Sequence, residues 1–423
     1  MSNANVAAAT PAAAFSGYQK LVIAVLAFLQ FTIVLDFMML APLGALVIPA
    51  LHITPPQFGL VVSTYAFSAG VSGLLAAGFA DRFDRKKLLV FFYAGFLIGT
   101  LLCALASSYE MLLFARLVTG LFAGVVGSAS LAIVTDLFPL QMRGRVMGII
   151  QTAFAASTVM GIPIALFLSA RSGWNTPFFM VVAVGAVVGG IIQTKMLPVD
   201  EHLKHHPDRS PLHHLLQTVT NGYYVQGFLT TCLLSVGGFM LMPFMSVFSV
   251  HNIGVGLDQL PLVYMVTGAV SIVAGPLIGR ASDAVGKVRV FAFGCALTIL
   301  MVLIYTHLHT TPVWIVCIIM ALLQIGIFSR MISASALMSA LPKATDRGAY
   351  MSVSSSLQQV AGGVASVISG FIVKVAVDGT LLNFDILGYV LVITTTITLT
   401  LIYFINRKIN AVQKAEAAPV PAT

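Results

Sequence analysis

Charge is scarce in this chain. Of its 423 residues, 9% are Asp, Glu, Lys or Arg, against about 25% in soluble domains. Hydrophobic residues make up 58%, more apolar surface than one soluble core can hide, so lipid is the solvent the composition requires. Cysteine is also sparse. Cys103, Cys232, Cys295 and Cys317 all fall inside apolar stretches, where they read as small buried apolar side chains with no disulfide expected. No Gly-x-x-x-x-Gly-Lys-Ser/Thr loop occurs, which excludes a P-loop ATP-driven pump. No zinc-protease helix and no nucleophile–base pair is evident, so an enzyme is not expected. Met1 to Gly17 holds no basic residue, whereas a signal peptide needs a charged start and a short apolar core. The first span is therefore expected to be retained.

What the chain does have is apolar runs of 20 or more residues along its whole length. Twelve candidate spans cover roughly 20–49, 57–79, 87–107, 110–136, 144–168, 174–197, 222–250, 259–281, 288–308, 312–340, 347–374 and 383–405. Of the 22 Lys and Arg, Arg171 and Lys374 fall on one side, Arg116 and Arg330 fall inside spans, and all others fall on the opposite side. That asymmetry places both termini in the cytoplasm. The net charge of +8 thus reports topology and contact with anionic lipid, not a nucleic-acid partner.

The spans repeat. The string Gly78-Phe79-Ala80-Asp81-Arg82-Phe83-Asp84-Arg85-Lys86-Lys87 follows span 2, and a degenerate copy, Gly279-Arg280-Ala281-Ser282-Asp283-Ala284-Val285-Gly286-Lys287, follows span 8. A shift of 202 residues puts Asp81 on Asp283 and Phe37-Met38 on Phe239-Met240. A shift of 204 puts Arg143-Gly144-x-x-Met147 on Arg347-Gly348-x-x-Met351. Six spans therefore repeat as six, the organisation of a carrier whose two bundles rock around a central site. The expected division is a disordered N-terminus at 1–19, a bundle at 20–197, a cytoplasmic connector at 198–221, a second bundle at 222–406 and a disordered tail at 407–423. The connector carries His202, His205, His206, His213 and His214. Their spacing fits no metal motif, so a solvated interfacial segment is expected there, with no metal.

The loop string resembles the Gly-x-x-x-Asp-Arg-x-Gly-Arg-Lys signature of the major facilitator superfamily. It matches at Asp81-Arg82 and Arg85-Lys86 and departs at Ala77 and Asp84, where the family has Gly. Arg116-Leu117-Val118-Thr119-Gly120 is similar to the Arg-x-x-x-Gly motif of proton-coupled members. Gly161-Ile162-Pro163, with Gly173-Trp174 and Phe178-Phe179, is similar to the twelve-span drug:proton antiporters, including their sugar-efflux branch. The resemblance covers nearly the whole chain. It implies an all-α membrane protein of twelve transmembrane helices in two pseudo-symmetric six-helix bundles. It also implies that the two loop copies act as a cytoplasmic gate built from Asp81, Arg82, Arg85, Asp136, Asp283 and Lys287. In that gate Asp81 would cap a neighbouring helix and Arg85 would reach Asp136.

Asp36 is the one acidic residue near the middle of a span. A carboxylate there costs several kcal/mol and is a functional candidate by default. Its pseudo-symmetric position holds Gly238, so the scaffold is not expected to need a charge there to fold. Burial and a neighbouring cation pull a carboxyl's proton affinity in opposite senses, which suits a group that binds and releases a proton. Arg116 is its natural partner, because the two depths agree to within about 3 Å at 1.5 Å per residue. The other reading is an ion pair that only orients span 1. Arg330, deep in span 10 with no acid in the same span, either faces a cavity and meets an anionic or polar substrate group or snorkels to water. Phe37, Met38, Phe239 and Met240 offer an adaptable apolar wall. Gln30, Gln151, Gln324, Gln358 and Gln359 either contact substrate or bridge helices.

These observations lead to a multi-pass carrier in a bacterial-type inner membrane, driven by the proton gradient and functional as a monomer. It is expected to export a small amphipathic compound. The rival expectations are a symporter or uniporter importing a polar or anionic solute, a lysolipid translocase and a non-transporting receptor.

Overall fold

In lipid every backbone N–H and C=O must be satisfied within the chain, which leaves helices as the only solution for apolar runs of this length. The computed structural model describes residues 15–200, 203, 217–342 and 346–416. Its first half holds α1 (Gly17–Met39), α2 (Gly44–Ala50), α3 (Pro55–Phe79), α4 (Arg85–Ala104), α5 (Tyr109–Leu137), α6 (Leu140–Ala156), α7 (Ile162–Ser172) and α8 (Thr176–Lys195). The second half holds α9 (Gly222–Leu241), α10 (Met245–His251), α11 (Leu260–Val285), α12 (Lys287–Thr306), α13 (Val313–Ala340), α14 (Arg347–Ile372) and α15 (Phe384–Glu416). A short antiparallel pair, β1 (Lys374–Val375) with β2 (Leu381–Leu382), links α14 to α15.

Local chemistry sets the helix ends. Ser16 and Gln19 form a capping box before α1, and Thr54 with Gln57 forms another before α3, where Pro55 and Pro56 occupy the first turn. Spans 1 and 7 each break in the same place. The turn after α1 contains Pro42 and the turn after α9 contains Pro243, residues that cannot donate to a helix ladder. A π turn at Ser157–Gly161 joins α6 to α7 as one span.

Among the described residues, eleven segments are long and apolar enough to cross a membrane. The twelfth expected span is α14, which forms as a helix but is diluted by Ser, Gln and Gly. It packs one side against α3 and α9 and leaves Val364, Ile368 and Phe371 exposed on another, so it does not need an apolar surface all round. At the chain ends, α1 starts at Gly17, inside the segment expected to be disordered. α15 runs past residue 406 to Glu416. Lys408 Nζ donates to the Tyr223 carbonyl at 3.2 Å and lies over the Tyr223 ring, which ties that extension to the start of α9.

The halves meet along two seams. α3 runs beside α14, and α11 packs on the π turn and α7. Contacts crowd toward the far face, opposite the basic loops. There Phe58 and Phe244 lie 6.0 Å apart, and Ser246 Oγ donates to the Ala41 carbonyl at 3.1 Å. A Cβ added at Gly59 would sit 2.5 Å from the Ser366 carbonyl oxygen, and one at Gly268 would sit 2.7 Å from Val159 Cα. Both positions require glycine because backbone stands in the way.

Candidate functional site

α1 lies against α5 and delivers Asp36 to Arg116. Arg116 Nη1 donates to Asp36 Oδ2 at 2.9 Å and to the Asp36 carbonyl at 3.2 Å. Both side chains are 0% exposed, so the pair has no contact with solvent to screen it. The Tyr65 ring from α3 covers the guanidinium, 4.4 Å from Arg116 Cζ, a cation–π contact strengthened by desolvation. Asp36 Oδ1, Arg116 Nε and Nη2 and the Tyr65 hydroxyl are buried without a hydrogen-bond partner among the described residues. The pair is thus held by one strong charge-assisted bond, with spare donors and acceptors around it. Coulomb attraction in such a site is large, and so is the cost of leaving either charge alone.

A file of rings leads away from the pair. Tyr65 stands 5.2 Å from Phe37, the residue after Asp36, and Phe37 stands 5.9 Å from Phe239 of α9. Three side chains therefore connect the buried carboxylate to the other half.

A second feature lies inside the second half. A cavity of about 90 Å³ is walled by Ser235, Gly237, Gly238 and Phe239 of α9, Arg330 of α13 and Gln358 of α14, with Leu, Ile, Met and Val side chains between them. Arg330 is 3% exposed, which removes the snorkelling reading. Its Nε and Nη2 have no hydrogen-bond partner among the described residues. The glycines of α9 let the guanidinium approach: a Cβ at Gly237 would lie 3.5 Å from Arg330 Nη2.

Of the expected cavity residues, Phe239, Arg330 and Gln358 line this space. Gln30, Met38, Met240 and Gln324 do not. Met38 meets Thr158 within the first half, and Met240 is buried. Phe37 reaches the cavity only through Phe239. The side chain of Gln151 lies outside the described residues. Tyr65 and Ser235 were not foreseen. One tyrosine or serine among many in apolar helices carries no signal of its own.

At the basic face, Arg85 Nε pairs with Asp136 Oδ2 at 3.1 Å, as expected. Asp84, which stands where a glycine was anticipated, caps α4 by accepting from the Lys86 N–H at 2.9 Å. It also accepts from the Val199 N–H at 3.0 Å, tying down the start of the connector. Arg82 is exposed, and the Asp81 side chain lies outside the described residues, as do the connector histidines. The second-half copy builds no counterpart. Asp283 is exposed, and neither it nor Lys287 joins an ion pair among the described residues. The reason is compositional: no Arg follows Asp283, and the 202-residue shift puts Met338 where an acid matching Asp136 would be needed.

Comparison with known proteins fits this architecture. The sequence profile of the Major Facilitator Superfamily matches residues 26–366 and 227–422, two overlapping stretches. The uncharacterized MFS-type transporter YceJ of Bacillus subtilis is 30% identical over 159 residues, 38% of this chain and 40% of that protein. Multidrug resistance protein 2 of the same organism is 25% identical over 282 residues, covering 63% of this chain and 70% of that protein. With the first relatives, including Rv1250 of Mycobacterium tuberculosis at 30% of its length, the chain spans about a third to a half of their own length. Among solved structures, a bacterial homolog of the human lysosomal transporter Spinster, inward-facing and occupied, superposes with a TM-score of 0.68. It shares 15% identity over 97% of this chain and 100% of that one. The nucleoside transporter NupG superposes with a TM-score of 0.71 at 14% identity, over 91% of this chain and 99% of that one.

Proposed function

Because the chain belongs to the Major Facilitator Superfamily, it is a membrane transporter, and we propose that it exchanges protons for a small amphipathic compound by alternating access. The observation that carries this reading is the Asp36–Arg116 pair, buried at 0% exposure and linked by Tyr65 and Phe37 to the second half. When Asp36 is ionised the pair is neutral and compact. When Asp36 takes a proton, the carboxylate bond weakens and Arg116 becomes an uncompensated buried charge. That energy is relieved by movement of α1 and α5, and Phe37 passes the movement to Phe239. Proton binding thereby biases the contact between the halves, the element that must open and close in alternating access.

Export is supported by the similarity to a protein named for multidrug resistance and by the apolar walls around Phe37 and Phe239. The charge asymmetry supports a bacterial-type inner membrane, with basic loops inside. Both halves lie in one chain, which supports a functional monomer. A second reading, import of an anionic solute by symport or uniport, is favoured by Arg330 in the cavity.

The test is a thermal-stability screen of the purified protein against drugs, sugars, organic anions and lysolipids at two pH values. Each stabilising compound is repeated with Asp36→Asn and with Asp36→Asn/Arg116→Gln. Stabilisation that is greater at higher pH, with that dependence lost in both variants, is the expected result for an exchanger. Stabilisation greater at low pH indicates symport. A pH dependence that survives both variants refutes the role of Asp36.

A further inference from the structure

The first half carries both members of its ion pair, whereas the second half carries a buried arginine alone. Under the 202-residue shift the position of Asp36 becomes Gly238. Each of these residues lies three places before the end of its helix, at Met39 and at Leu241. Gly238 lines the second-half cavity, as does Arg330. The two arginines are not in register, since the same shift puts Arg116 on Ile318. Arg330 instead approaches α9 from about three helical turns nearer the basic face, with Nη2 at 3.5 Å from a Cβ built on Gly237.

An arginine at 3% exposure with Nε and Nη2 unpartnered among the described residues costs folding energy unless another step uses it. No described carboxylate pairs with it. Arg330 lines the cavity together with Ser235, Phe239 and Gln358, a wall polar at points and apolar between. The cavity of about 90 Å³ has room beside Arg330 for a planar carboxylate group, the shape that matches the guanidinium fork.

We infer that the second-half cavity is a carboxylate subsite, in which Arg330 binds the acid group of an amphipathic organic anion and the ligand supplies the charge that Asp36 supplies in the first half. The fork geometry of guanidinium favours a carboxylate in two-point contact. Gly238 leaves the ligand room, because a Cβ there meets nothing within 4 Å. Phe239 lines the subsite and also touches Phe37, so an occupied subsite presses on the ring file that leads to Asp36. The inference deepens the carrier reading by naming the class of compound carried.

The experiment compares naphthoate with naphthamide, which share a ring system and differ in charge, by calorimetric titration of the purified full chain. Wild type is expected to bind naphthoate about tenfold or more tightly than naphthamide, the scale of one charged hydrogen-bonded contact. Arg330→Gln is expected to erase that ratio with no fall in melting temperature, since it removes an unpaired buried charge. Gly238→Asp, which places a carboxylate in the cavity wall, is expected to lower naphthoate affinity while leaving the protein folded. An unchanged acid-to-amide ratio in Arg330→Gln, or no naphthoate binding by folded wild type, overturns the subsite. Displacement of naphthoate by a lysophospholipid, dependent on Arg330, overturns the choice of a free acid as ligand. The ratio is independent of proton coupling. If it holds while proton exchange in reconstituted vesicles fails, the carrier mechanism is at fault and the subsite stands; the reverse result condemns the subsite alone.

Discussion

Phe37 and Phe239 occupy matching positions 202 residues apart, and their rings meet at 5.9 Å between the two halves. The repeat thus places the same side chain on both sides of one contact. Phe37 also touches Tyr65 at 5.2 Å, while a Cβ at Gly362 would strike the Phe239 ring. Phe239 is therefore held by α14, and Phe37 by the group that covers Arg116. A double-mutant cycle of Phe37→Ala and Phe239→Ala, read by thermal unfolding, should give a coupling of about 0.5–1.5 kcal/mol. Additive losses would mean the rings are neighbours without a shared energy.

The Asp36–Arg116 pair makes a sharper demand. From the sequence, Gly238 at the matching position suggested that the scaffold tolerates loss of the charge. The structure changes that expectation, because Arg116 is 0% exposed with a single carboxylate partner. Asp36→Asn should destabilise the protein by about 3–5 kcal/mol, the cost of leaving one member of a buried pair unmatched. Asp36→Asn/Arg116→Gln should recover most of it, since both charges are then gone. Melting temperatures of the three proteins test this directly. If the double variant is no more stable than the single, the destabilisation comes from packing instead.

Much of this pair is legible in the sequence. Charged residues inside apolar runs are few, so Asp36 and Arg116 stand out, and helical rise converts their positions into depths. The repeat was equally readable, since the loop strings and Phe37-Met38 with Phe239-Met240 carry one offset. What could not be read is rotation about each helix axis. Spans that are apolar all round give no face signal, so the sequence does not say which of the expected residues share one space; Phe239, Arg330 and Gln358 do. The second-half loop has a different limit: the likeness of Asp283 and Lys287 to the first copy says nothing of whether a partner acid exists.

At the basic face the pairing of Arg85 with Asp136 joins the start of α4 to the end of α5. Arg85 is buried and Asp136 partly exposed, which makes the bond stronger than a surface ion pair. Asp136→Asn should cost about 1–3 kcal/mol of stability. It should also raise the labelling rate of a cysteine placed at Leu137 by a water-soluble maleimide from the basic side. Asp283→Asn, at the exposed and unpaired second-half position, should leave both measurements unchanged. Equal effects from the two substitutions would show that the loops act through charge alone.

The far-face seam gives the most direct handle on alternation. At Gly59 and Gly268 a Cβ would run into backbone of the opposite half, at 2.5 Å from the Ser366 oxygen and 2.7 Å from Val159 Cα. Backbone inside packed helices cannot step aside cheaply, so Gly59→Ala or Gly268→Ala should penalise the closed seam by about 1–3 kcal/mol. A penalty of that size shifts the balance toward a far-face-open state by about fivefold to 150-fold. A cysteine at Ser246, whose hydroxyl now bonds the Ala41 carbonyl across the seam, reports the change. Its labelling by an impermeant maleimide from the far side should rise by a similar factor in either variant. Gly127→Ala is the control, because a Cβ there meets nothing within 4 Å and helix propensity alone should make it neutral or stabilising. If Gly59→Ala and Gly268→Ala both label no faster than this control, the seam does not govern access, and the halves separate by some movement other than opening at α3–α14 and α7–α11.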